Sequence, residues 1–116
     1  MKVDIKVTTI TKGMVFKENY FEVKVNFQLT EEEKAIIKTR GLQKKIVMEQ
    51  DKRASLEDDV SHYITMQTLL DGLFATDFLY PTEVKYFQQE LHDKLKTAKE
   101  YLKANEADPE DISFEI

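Results

Sequence analysis

The first residues alternate. Val3, Ile5 and Val7 fall on one side of an extended backbone, and Lys2, Asp4, Lys6 and Thr8 fall on the other. A period of two marks a half-buried strand, here residues 2–10. Residues 19–29 repeat the pattern, with Phe21, Val23, Val25, Phe27 and Leu29 against Glu22, Lys24, Asn26 and Gln28. Two strands with one wet face each predict an antiparallel sheet, because parallel sheets are normally covered on both sides. Lys12-Gly13 interrupts the first run. The connector 11–18 is long for a tight hairpin, so Met14, Val15 and Phe16 are expected to extend a strand or fold onto the core.

The period then changes. Thr30-Glu31-Glu32-Glu33 reads as a capping box: the Thr30 hydroxyl caps the helix and Glu33 reaches back to the Thr30 amide. Three acids suit the positive end of the helix dipole, Lys38 and Arg40 suit its negative end, and Gly41 supplies a left-handed stop. This predicts a short helix over about 31–40. Its apolar stripe of Ala35, Ile36 and Ile37 is narrow, so the helix must lean on the sheet.

Lys44–Gln50 reads as a strand, the polar stretch Asp51–Asp59 as a loop, and Tyr63-Ile64-Thr65 as the sheet resuming. Met66–Asp71 reads as a helical turn capped by Thr65 and stopped by Gly72, and Leu73–Leu79 as another strand. The last element carries the strongest signal. Pro81 suits a first helical turn, and no Gly or Pro interrupts the chain from Thr82 to Ala104. Val84, Phe87, Leu91, Leu95, Ala98 and Leu102 recur at spacings of three and four, one helix face, with Lys85, Gln89, Lys96, Lys99 and Lys103 read as the opposite, wet face. At about 1.5 Å per residue, a helix over 82–104 runs roughly 33 Å. That rivals the diameter of a domain this size. Its last turns are therefore expected to overhang or to meet a second chain, which makes a homodimer one expectation.

Together these elements predict an α+β fold. One antiparallel sheet of about 3–5 strands carries a short helix (about 31–40), and a long C-terminal helix (about 82–104) packs on one face. Residues 1–104 read as a single domain, and 105–116 as an acidic C-terminal tail able to act as an added strand.

Charge sharpens this division. The 116 residues carry a net charge of −5. The segment 105–116 holds Glu106, Asp108, Glu110, Asp111 and Glu115 and no base, so the other 17 acids balance all 17 bases. An acidic protein, pI near 5.1, lacks the summed positive field that binding to a phosphate backbone requires, so nucleic acid is not an expected partner. Residues 1–11 alternate instead of forming a continuous apolar stretch, and no window nears the ~20 apolar residues of a membrane helix. No membrane association and a cytoplasmic location are the simplest expectation. There is no Cys, which excludes disulfides, thiolate metal sites and thiol catalysis within the sequence.

Candidate chemistry is sparse. His62 and His92 stand at no metal-binding spacing. Asp93 adjoins His92 in sequence, yet neighbours one residue apart do not face each other across a helix turn. The three glycines are scattered, which leaves no phosphate-cradling loop, and no Gly-x-Ser-x-Gly occurs. Asp58-Asp59 reads as wet loop and Glu31–Glu33 as helix capping. No cofactor and no metal is expected. Lys2, Lys6 and Lys24 share the polar sheet face and offer contacts to an acidic partner, although Asp4 and Glu22 lie among them and cross-strand pairing is the plainer explanation. The aromatic residues Phe74, Phe78, Tyr80, Tyr86 and Phe87 read chiefly as core.

The most suggestive segment is Asp111-Ile112-Ser113-Phe114-Glu115-Ile116. Alternating Ile112, Phe114 and Ile116, preceded by Asp108 and Asp111, suit addition as a strand to a sheet edge, in this chain or another. The sequence thus points to a non-enzymatic protein-protein interaction or accessory module with an unknown protein partner. The competing reading is a small-ligand-binding or enzymatic domain, with a pocket between helix and sheet near His62, Tyr63, Asp77 and Tyr80.

Overall fold

The computed structural model describes residues 1–13, 18–53, 59–105 and 115, with backbone only at residues 12, 18, 50–53 and 59–62. The chain runs β1 (Lys2–Lys12), β2 (Glu18–Gln28), α1 (Glu31–Thr39), β3 (Ile46–Arg53), β4 (Asp59–Thr65), α2 (Met66–Asp71), β5 (Leu73–Phe78) and α3 (Pro81–Ala104). All pairings are antiparallel, so the fold is α+β as the alternation predicts. The five strands divide into a three-stranded sheet in the order β1-β2-β5 and a two-stranded sheet, β3-β4.

Register follows directly from the period-two pattern. Val3 faces Phe27, Ile5 faces Val25 and Val7 faces Val23, while Val23 faces Thr76 and Val25 faces Phe74 on the far side. One face of the large sheet is therefore apolar across all three strands but for the buried Thr76 of β5. α3 covers that face with Val84, Phe87 and Leu91, and Phe87 sits against Phe78 and Phe74, with ring centroids 5.3 and 6.1 Å away. Tyr80 and Tyr86, grouped with these rings in the sequence reading, are exposed instead.

The local signals hold. At Thr30 the Glu33 amide donates to the threonine hydroxyl at 3.1 Å, and the Thr30 amide donates to the Glu33 carboxylate at 3.0 Å. Thr65 caps α2 in the same reciprocal way, with Thr68 in the glutamate's place. Gly72 ends α2 at φ 85°, a conformation that costs any other L-residue about 1–2 kcal/mol. Its carbonyl then accepts from the Phe27 amide at 3.0 Å, which ties the α2 exit to β2.

Two expectations are corrected. Asp51, Lys52, Arg53 and Asp59 are paired strand residues and not loop: Arg53 faces Asp59, Lys52 faces Val60 and Asp51 faces Ser61. Backbone pairing in a hairpin does not need apolar side chains, and hydropathy is blind to a polar one. The second concerns α3, whose last turns do not overhang but are covered within the chain. Ala98 and Leu102 are buried, α1 and the start of β3 pack against this end, and the Lys45 ammonium lies 4.1 Å from the centre of the Tyr101 ring. The second small sheet and α1 supply the cover that one sheet could not. No helix of the described residues is long and apolar enough to cross a membrane.

Candidate functional site: an open sheet edge beside a basic helix flank

The order β1-β2-β5 leaves β1 as an edge. Every second residue of an edge strand points its N–H and C=O away from its one neighbour, ready to pair with another chain. β1 spans eleven residues, and α3 does not cover its flank fully. On the inner face Val23 and Val25 of β2 are completely buried, but Val3 and Ile5 of β1 are only half-buried and Val7 is 40% exposed.

Beneath that flank lies a groove of about 310 Å³, lined by Met1, Val3 and Ile5 from the strand side and Leu91, His92, Leu95, Lys96 and Lys99 from α3. A second hollow of about 350 Å³ adjoins it at Met1 and Lys99 and continues past Leu102 and Lys103 to Glu33 and Ile36 of α1. The floor is apolar and the helix rim is basic. Lys96, Lys99 and Lys103, read in sequence as a wet face, are exposed; Lys96 and Lys99 flank the groove beside β1, and Lys103 lines the hollow toward α1. None of the three forms an ion pair among the described residues. Their stems cover apolar surface while their ammonium groups stay in water.

The outer face of the same sheet is polarised. Lys6 stands directly across from Lys24, whose ammonium meets Glu22 at 3.3 Å; Lys2 lies four residues before Lys6 on the same face. Across the sheet toward β5, Glu22 stands opposite Asp77. On this face β1 carries Lys2, Asp4 and Lys6, a net positive charge of one, and β5 carries Asp77.

The N-terminal ammonium anchors the mouth of the groove. It meets the Glu33 carboxylate at 2.9 Å, and both groups are nearly buried. Burial pushes the Glu33 carboxyl up, but the Thr30 amide and the adjacent ammonium outweigh it and hold the pKa below the ordinary glutamate value.

The residues singled out in sequence fare differently. Asp108, Asp111, Ile112, Phe114 and Ile116 lie outside the described residues, and Glu115 is exposed. Tyr63 on β4, Asp77 on β5 and Tyr80 before α3 are exposed and line neither hollow, while the His62 side chain is outside the described residues. His92 does touch Asp93, its Nδ1 lying 3.3 Å from the carboxylate, although both side chains are largely in water. Among the described residues no group of three His, Asp or Glu is placed to hold a metal ion. What sequence reasoning missed is the flank itself. Lys96 and Lys99 fall three residues apart and four and eight after His92 and Leu91, but only the strand order shows that they look onto an open edge.

Comparisons with protein-family models, with curated proteins and with solved structures found nothing that matches this chain.

Proposed function

We propose that the chain is a non-enzymatic protein-interaction module that binds an extended, acidic segment of a partner protein as an added strand along β1. The observation that carries this reading is the coincidence of a long edge with an apolar groove and, on both sides of it, lysines that form no ion pair, all among the described residues. Backbone pairing supplies affinity without sequence preference. The groove under Val3 and Ile5, with the exposed Val7 beyond it, selects apolar side chains at alternate positions. Lys2 and Lys6 above, and Lys96 and Lys99 below, select acids and repel basic strands, which is how an edge can stay specific.

The test is selection of displayed eight-residue peptides on the purified chain. Enrichment of sequences that alternate acidic and apolar residues, with binding lost in a Lys96→Glu, Lys99→Glu variant that still folds, supports the reading. Failure to enrich such sequences, or binding indifferent to those lysines, contradicts it.

A further inference from the structure

The β1 edge is complementary to itself. Laid antiparallel against a second copy and centred on Ile5, it pairs Lys2 with Thr8, Val3 with Val7, Asp4 with Lys6 and Ile5 with Ile5. The outer face carries Lys2, Asp4 and Lys6, all exposed, and there each Asp4 meets a Lys6. The inner face brings together only Val and Ile. Other centres do worse. A two-fold at Asp4 opposes Asp4 to Asp4 and Lys2 to Lys6, and one at Lys6 opposes Lys6 to Lys6. A two-fold at Val7 sets Asp4 against Ile10 and Ile5 against Thr9, while one at Val3 leaves Lys6 and Val7 without a counterpart among these residues.

The backbone agrees with this register. Alternate residues of β1 turn their N–H and C=O away from β2. Centring on Ile5 pairs odd positions with odd and even with even, so both members of each pair turn outward together, whichever set that is. Residues 2–8 then exchange about six to eight backbone hydrogen bonds with the second copy. The side chains gain as well. Within the chain Lys6 faces Lys24, and neither Lys6 nor Asp4 forms an ion pair among the described residues. A second copy places its Asp4 on the open side of Lys6. A two-fold axis normal to the sheet keeps both apolar faces on one side, so the half-buried Val3 and Ile5 and the 40%-exposed Val7 of each copy are covered by the same three residues of the other.

We propose that two copies of this chain pair through β1, antiparallel about a two-fold at Ile5, into one continuous six-stranded sheet. The contact is isologous, so it closes at two copies and builds no filament. It uses the edge named in the proposed function and does not depend on that reading. His92, Lys96 and Lys99 of both helices rim the merged groove. Their like charge opposes association and makes the pair reversible, and an acidic strand, which answers those lysines, displaces the second copy. Self-pairing and strand binding exclude each other, so apparent affinity for an acidic peptide falls as chain concentration rises.

Charge exchange tests the register on the full chain. In sedimentation from roughly micromolar to millimolar concentration, the unaltered protein passes from the mass of one chain to that of two, and its outward β1 amides gain protection from hydrogen exchange in step. Asp4→Lys alone and Lys6→Asp alone each weaken pairing at least tenfold, because each copy then opposes like charges. Mixed together they pair again, since Ile5-centred contacts between the two variants are all acid against base. Unchanged β2 amide protection confirms that each variant folds. The chain lacks cysteine, so Ile5→Cys forms a disulfide between copies on oxidation, whereas Val3→Cys and Val7→Cys do so only when mixed. A one-chain mass throughout overturns the proposal, as does a two-chain mass that survives both charge variants or is not restored by mixing them. If the chain stays single while acidic, apolar-alternating peptides still protect β1, only self-pairing falls. If the chain pairs as described and no such peptide competes, self-pairing stands and the binding-module reading falls.

Discussion

The three-stranded sheet has two edges, and they are finished differently. β5 is six residues long, and its inward side chains are finished business: Phe78 and Thr76 are buried, and Phe87 of α3 packs over Phe78 and Phe74. β1 is eleven residues long, and its inward side chains stop half-covered beside a groove. On the outer face β5 sets Asp77 across from Glu22, whereas β1 sets Lys6 across from Lys24 and carries Lys2 and Asp4 beside it. Short length is one way to blunt an edge, and lysines are another. The proposed function assigns the second edge, and not the first, to an acidic strand.

Substitutions should therefore cost stability on the β5 side and binding on the β1 side. The largest effect is expected from Phe87→Ala, which empties a fully buried site between Phe74 and Phe78 and should destabilise by about 3–5 kcal/mol in denaturant unfolding. Gly72→Ala comes next. It forces a side chain onto a backbone at φ 85°, with the new Cβ 3.4 Å from the Phe27 carbonyl oxygen, and should cost about 1–2 kcal/mol.

At the mouth of the β1 groove the effect is smaller and depends on pH. The Glu33 pKa is lower folded than unfolded, so its contribution is complete above the unfolded value of about 4.3 and is lost as pH falls through the lower, folded value. Glu33→Gln should cost about 1 kcal/mol at neutral pH. It should also flatten the acid limb of a stability-versus-pH curve, and an unchanged limb would show that the contact with the ammonium contributes nothing. The smallest stability effect belongs to Val7→Asp, within about 0.5 kcal/mol as for other surface changes. The same substitution should weaken peptide binding about tenfold, or about 1.4 kcal/mol, measured by fluorescence anisotropy. A large loss of stability there would mean that the edge is already part of the closed core.

Much of this fold can be read from the residues, and the reasons are local. Alternation places β1 and β2, the Thr30–Glu33 box starts α1, Thr65 and Gly72 bracket α2, and the three-four spacing of Val84 to Leu102 draws α3. Signals that depend on neighbours distant in sequence are harder to read. Asp51–Arg53 and Asp59–His62 pair as a hairpin although their side chains carry no strand period. The division into two sheets has no local mark, and without it the far half of α3 looks uncovered. The site was the least legible part. Lys96 and Lys99 read as a solvated helix face until the pairing of β5 with β2, and not with β1, leaves their flank beside an open strand. The alternation of Ile112, Phe114 and Ile116 is legible in the sequence, and these residues lie outside the described ones.

The central claim is that β1, and not β5, receives a strand. Backbone chemical-shift mapping of the labelled chain, titrated with a peptide that alternates acidic and apolar residues, decides it. The account predicts shifts concentrated at Lys2–Val7 and at Leu91–Lys99, with Leu73–Phe78 still. Shifts along Leu73–Phe78, or none at β1 at millimolar peptide, would contradict it.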